Sequence, residues 1–175
     1  MIFQNPTPAS GSSIPGPSIR FELEPPTSVR PCAEFTLPVI VAVNAPGIPT
    51  SELPLSVHVE LTDENHEPIE GCHLSGYLTD NIRNWDGDAR RGYAKFDGLA
   101  IDEAGRYRLR ILLLAWGMRG QVTVKAQIDS EVIHVHEQAG PVQRPTYSQV
   151  STLRRLIREN LQITEEDIQE WQNAS

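Results

Sequence analysis

Polar and apolar residues alternate with a period of two over most of this chain, then switch to a helical period near the C-terminal end. In IRFELE, Ile19, Phe21 and Leu23 fall on one side and Arg20, Glu22 and Glu24 on the other, the pattern of a half-buried strand. LSVHVELTD sets Leu55, Val57, Val59 and Leu61 against Ser56, His58, Glu60 and Thr62. EFTLPVIVAV also reads as a strand, with Pro38 assigning it to a sheet edge or a bulge. CHLSGYLTD, GYAKFDGL, GRYRLRILLL, QVTVKAQID and EVIHVHE complete the set. Between them lie the turn-rich segments EPPTSVRPC, NAPGIPTSELP, DENHEPIEG and NIRNWDGDARR, the last with an Asp-Gly turn signal. Further turns are expected around Asp102 and near Asp129 and Ser130. Strands at roughly ten-residue spacing, about seven or eight in all, predict a mostly β chain folded as an antiparallel sandwich or barrel.

After Gly140 and Pro141 the period changes. SQVSTLRRLIRENL carries Val150, Leu153, Leu156, Ile157 and Leu161 at helical spacing, with Arg154, Arg155, Arg158 and Glu159 opposite. TEEDIQEWQNA starts with Thr164 as an N-cap, followed by acids where the helix dipole favours negative charge. Three regions follow: a Pro/Ser-rich arm over 1–18 expected to be disordered, a β body over 19–140 and a helical segment over 141–175. No internal repeat is visible. The helical line of Leu153, Leu156 and Ile157 is expected to pack on the sandwich or on a second subunit.

Charge narrows the choice of partner. The 175 residues carry a formal net charge of −8, with Lys95 and Lys125 the two lysines among fifteen basic residues. A surface that grips nucleic acid broadly is basic, so any such contact must come from a local patch. Cys32 and Cys72 make no disulfide framework; they are expected as two free, buried thiols, although a bridge across the sandwich stays open. The start MIFQNPTPASGSS lacks a basic segment and a long apolar core, so no signal peptide is expected. No apolar run approaches the roughly 20 residues that span a bilayer. A soluble cytosolic or nuclear chain is the expectation.

Catalytic constellations are sparse. His134 and His136 share a strand face, and His58 is able to add a third ligand from another strand, a spacing that suits a metal. The plainer reading is a pair of surface histidines. GDARRG lacks the ending of a phosphate-binding loop, and no nucleophile elbow is present. Asp86, Asp88, Asp97, Asp102 and Glu103 are turn acids, a position that Asp favours for capping its own backbone. No catalytic residue, metal site or cofactor is therefore assigned; a sandwich-fold enzyme using the histidines or turn carboxylates is an alternative.

The arginine row carries more information. In GRYRLRILLL, Tyr107, Leu109, Ile111 and Leu113 face the core, while Arg106, Arg108 and Arg110 face outward with Leu112 and Leu114 continuing the same line. A stripe that begins basic and ends apolar suits a surface covered by something else. The competing reading is cross-strand pairing with acids such as Glu22, Glu24 or Glu60, which is common and worth little per exposed pair.

The stretch LSGYLTD…RRGYAKFDGLAIDEAGRYRLRILLL resembles the fungal velvet domain. Gly92, Tyr93, Phe96, Leu99, Gly105, Tyr107, Arg108 and Leu109 match the family's Gly-Tyr/Phe-x-x-Phe-x-x-Leu segment and the Tyr-Arg-Leu strand that follows it. AGPVQRPTYSQVSTLRRLIRENL is similar to the family's entry into a final helix, and IRFELEPPTSVRPC to its first strand and Arg-x-Cys. The resemblance covers roughly residues 19 to 161. It implies an immunoglobulin-like, Rel-like β-sandwich. It also implies a nuclear and cytoplasmic regulator of fungal development and secondary metabolism that forms homo- or heterodimers, in several members on promoter DNA. One departure bears on that last point. The family's Gly-, Lys- and Arg-rich segment after the Arg-x-Cys is replaced by AEFTLPVIV: Arg30 and Cys32 match, but Glu34 stands where positive charge is needed. Each lost phosphate contact removes about 0.9 from the log–log salt slope of binding. Weak or partner-dependent DNA binding is the expectation, through Arg30, Arg90 and Arg91. Partner contact is assigned to Arg106, Arg108, Arg110, Leu112, Leu153, Leu156 and Ile157. Arg90, Arg91 and Lys95 are further expected to join the arginine row in one positive patch. The alternative is an interaction sandwich unrelated to transcription.

Overall fold

The computed structural model describes residues 15–71 and 73–175. It is mostly β, with 38% strand and 16% helix, in curled sheets followed by two C-terminal helices. A three-stranded sheet has β3 (Val39–Asn44) between β1 (Ser18–Leu23) and β7 (Arg91–Phe96). A larger sheet runs in the order β2 (Ser28–Val29), β11 (Ile133–Val135), β9 (Gly105–Trp116), β4 (Leu55–Asp63), β6 (Thr79–Asn81). The edge of β9 that meets β11 at Gly105–Tyr107 is taken further along by β10 (Val122–Asp129). β5 (Leu74–Ser75) and β8 (Ala100–Ile101) form a separate two-stranded ladder. Among the described residues the ladders are antiparallel except that of β2 with β11, which is parallel.

The two larger sheets share one core. Val39, Val41 and Val43 of β3 meet Val57 and Val59 of β4 and Leu109, Ile111 and Leu113 of β9, all at most 3% exposed. The outward residues of the two sheets therefore point in opposite directions. β3 is also buried on its other side, where Ile40 enters a second core. That double burial explains why VIVAV reads as a continuous apolar run. Pro38 stands just ahead of a central strand, a position without a ladder hydrogen bond to lose, and not on an edge or bulge as expected.

A register shift between Phe21 and Leu23 corrects the reading of the first strand. Ile19 and Phe21 face the shared core, but the bulge turns Leu23 into the second one. Beside it, the Glu22 side chain, expected toward solvent, is only 9% exposed and binds Arg155 at 2.6 Å. The expected arm at 1–18 is already strand at Ser18, and its first fourteen residues lie outside the described ones.

The second core joins the tail to the body. Helix α1 (Tyr147–Leu156) begins with a capping box between Thr146 and Gln149, and α2 (Glu165–Asn173) with one between Thr164 and Asp167. A 3-10 turn over Ile157–Glu159 stops at Asn160, whose left-handed φ of 58° ends the helical line before Leu161. Val150, Leu153, Leu156, Leu161, Ile163 and Ile168 pack on Leu23, Leu37 and Ile40, so the helices cap part of the outer face of the three-stranded sheet. No helix among the described residues is long and apolar enough to cross a membrane.

Candidate interaction surface

The outer face of the larger sheet is built from the even positions of β9 and their cross-strand neighbours. Arg110 stands beside Glu60 and Asp129, Leu112 beside His58 and Gln127, Leu114 beside Ser56 and Val124, and Trp116 beside Val122. The expected change from basic to apolar along this line is present, and the two halves are treated differently.

The basic half is closed by the chain itself. Arg110 donates to Asp129 through Nε at 2.8 Å and Nη2 at 2.9 Å, and also to the carbonyl of His66 at 2.9 Å. This guanidinium holds the Asp129 carboxyl below its ordinary value, and a bond from His66 acts in the same direction. Asp129 in turn holds the Arg110 proton more tightly than usual. Arg108 donates to the carbonyls of Glu64 at 3.0 Å and Ser130 at 2.9 Å. Arg106 pairs with the Glu64 carboxylate at 2.9 Å, with both side chains about half exposed. The acids that bond the row are Glu64, from a turn, and Asp129, at the end of β10; Glu60 lies directly across from Arg110 and acts on it by charge alone, whereas Glu22 pairs with Arg20 and Arg155.

The apolar half is open. Leu112 and Leu114 are half-buried, while Trp116, Val122 and Val124 are 49%, 47% and 51% exposed and Met118 at the hairpin tip is 91% exposed. Trp116 is held in place by a hydrogen bond from its indole N–H to Ser56 Oγ at 2.9 Å. Among the described residues β10 is an edge here, with β9 its ladder partner. The alternation of Val122 and Val124 with Thr123 and Lys125 was visible in the sequence, but nothing in it distinguished an uncovered face from a buried one.

The remaining assigned residues do not join this surface. Leu153 and Leu156 are fully buried in the chain's own second core, with Ile157 packed against it, so the first two present no docking surface. Arg91 and Lys95 sit on the outer face of the three-stranded sheet, opposite Asn44 and Ile40, on the side away from Arg106, Arg108 and Arg110. The single positive patch expected from these residues is therefore not formed, because the two sheets meet by their inner faces. Arg91 is matched by Asp86 at 2.8 Å and Asp88 at 3.3 Å, and Lys95 by Asp97 at 3.0 Å. Arg90 is tied to the carbonyl of Ile48 at 2.7 Å. Arg30 donates to the carbonyl of Ala139 at 2.8 Å. It lies near Cys32, whose N–H bonds Ile101 beyond the far end of β7 from Arg91. The structure thus does not bring Arg30 together with Arg91.

Cys32 is exposed rather than buried, since it occupies a turn with φ 61° and its thiol donates to the carbonyl of Asp102 at 3.6 Å. The expectation for Cys72 lies outside the described residues. His134 and His136 do come together, with ring centroids 4.2 Å apart and His136 bonded to Ser28 Oγ at 2.8 Å. His58 is bonded to Thr79 Oγ1 and lies beside Leu112, six positions along β9 from Arg106, the neighbour of His134; that is about 20 Å of strand. Among the described residues no group of three His, Cys, Asp or Glu is arranged to hold a metal. The turn acids are occupied as well: Asp102 and Glu103 face His73 at 3.0 and 3.4 Å. The N–H of Asp88, and then Arg91, keep the Asp86 carboxyl below its usual range. No protein-family model matches this chain, and no curated protein matches it.

Proposed function

We propose that this chain is a velvet-like regulator of fungal development and secondary metabolism, an immunoglobulin-like, Rel-like sandwich that works as a dimer in nucleus and cytoplasm. Its promoter contact is weak or supplied by the partner. The observation that carries the dimer is the open apolar half of the larger sheet. Part of one outer face of the body is capped by the chain's own helices, whereas Leu112, Leu114, Trp116, Val122 and Val124 form a contiguous apolar surface that no other described residue covers. Such patches mark interaction sites. The occupant is a second velvet-like chain, first of all a second copy. Two ion pairs border it, Lys125 with Glu52 at 2.7 Å and Arg110 with Asp129 at 2.8 Å, which keeps those charges balanced beside the apolar surface.

The residues that carry the family resemblance support the fold part of this reading. Phe96, Leu99 and Leu109 are at most 1% exposed, and Tyr107 is buried as well. Gly92, with φ 148°, lets its backbone pass against the carbonyl of Arg83, where a Cβ has no room. These are packing positions, and they speak for architecture more than for DNA. The matched arginines favour a protein partner over phosphates, which also supports the second reading, an interaction module outside transcription. Sedimentation velocity at low salt, with and without a promoter fragment, tests both. A dimer that Val124→Asp converts to a monomer is expected, with DNA binding weak or absent for the chain alone. A parent that stays monomeric alone and with candidate velvet-like chains would refute the reading.

A further inference from the structure

A groove of about 480 Å³ lies on the opposite side of the molecule, where the C-terminal helices stop short of covering the three-stranded sheet. Its floor is two cross-strand rows: Ser18, Asn44 and Arg91, then Arg20, Ala42 and Tyr93. Ala42 leaves depth at the centre. Glu159 of the 3-10 turn closes one wall, and Trp85 of the β6–β7 loop forms the other. The size is that of a small-molecule site.

Trp85 is 78% exposed, yet the loop that carries it is hydrogen-bonded within itself. The Asn84 amide donates to the carbonyls of Asp88 and Arg91, and its oxygen accepts from Gly87 N–H. Asp86 and Asp88 cap the following backbone N–H groups. An indole presented to solvent on a loop with this many internal bonds is preorganised as a flat apolar platform.

The electrostatics select the ligand. Arg91 is matched by Asp86 and Asp88, and Arg20 by Glu22 at 2.9 Å. Asp86 and Glu159 also line the space. A phosphate or carboxylate must compete with these pairs and sit beside two acids. A neutral hydroxyl both donates and accepts, so it takes spare guanidinium N–H groups and carboxylate lone pairs without breaking the pairs. We infer that this groove is a binding site for a neutral, hydroxyl-rich ring, a hexose unit of an oligosaccharide. The ring's C–H face lies on Trp85 and its hydroxyls meet Arg91, Asn44 and Glu159.

The test is titration of the full chain with neutral chito-, gluco- and manno-oligosaccharides, read by amide chemical shifts and indole fluorescence. Parallel arms use inorganic phosphate and a short single-stranded oligonucleotide. At least one neutral oligosaccharide is expected to move the amides of Asn44, Trp85 and Tyr93. Trp85→Ala, which removes an exposed side chain, is expected to weaken binding by about tenfold or more, and so is Ala42→Leu, which fills the floor. Phosphate is expected not to compete. The inference is overturned if no neutral oligosaccharide moves these amides, if Trp85→Ala binds like the parent, or if only phosphate or the oligonucleotide occupies the groove.

Discussion

Replacing Leu153 by alanine removes a side chain that is fully buried between helix α1 and the outer face of the three-stranded sheet. Leu→Ala at such sites costs about 2–5 kcal/mol, the lost transfer energy plus a cavity that the surroundings only partly fill. Here one side of the cavity is a hydrogen-bonded sheet carrying Leu23 and Ile40, which cannot collapse. The other side is a short helix able to shift. The middle of the range, about 3 kcal/mol, follows. For a chain of 175 residues that lowers the melting temperature by about 6–12 °C. The assay is thermal and urea unfolding followed by far-UV circular dichroism and by fluorescence. Trp171 packs against the second core while Trp85 and Trp116 are exposed, so Trp171 reports on the tail. Tyr147→Ala, at a position 92% exposed on the same helix, is the control and should stay within about 0.5 kcal/mol. The same midpoint for Leu153→Ala as for the parent would refute burial at this site. A separate early loss of the Trp171 signal in the parent, with the β signal intact, would show that the tail is not part of one cooperative fold.

The arginine row should divide by what each member binds. Arg106→Ala, which loses a half-exposed ion pair, should change stability by no more than about 1 kcal/mol, whereas Arg108→Ala strips two backbone carbonyls of a charged donor and should cost about 1–3 kcal/mol; equal urea midpoints for the two would sink this distinction. The depressed Asp129 carboxyl should contribute stability that is complete above its unfolded value near about 4 and is lost as pH falls through the lower folded value. Asp129→Asn should therefore flatten the acid limb of a stability–pH curve, and an unchanged limb would contradict the Arg110–Asp129 pairing.

Local periodicity alone made the strands, the change to helix after Gly140 and the Thr164 cap legible, because alternation and capping depend on neighbours a few residues apart. The sequence also located the transition from basic to apolar along β9. The rest was decided by packing between distant segments. The bulge that turns Leu23 away from Ile19 depends on pairing with β3, and the burial of Leu153 and Leu156 depends on which sheet face received the tail. Whether Arg110 faced solvent or Asp129 depended on the β9–β10 register, and the separation of Arg91 from Arg106 on how two sheets met. A one-dimensional pattern states that a face must be covered or wet. It does not state by what, since the covering group lies many residues away and arrives only when the sheets and helices close on one another.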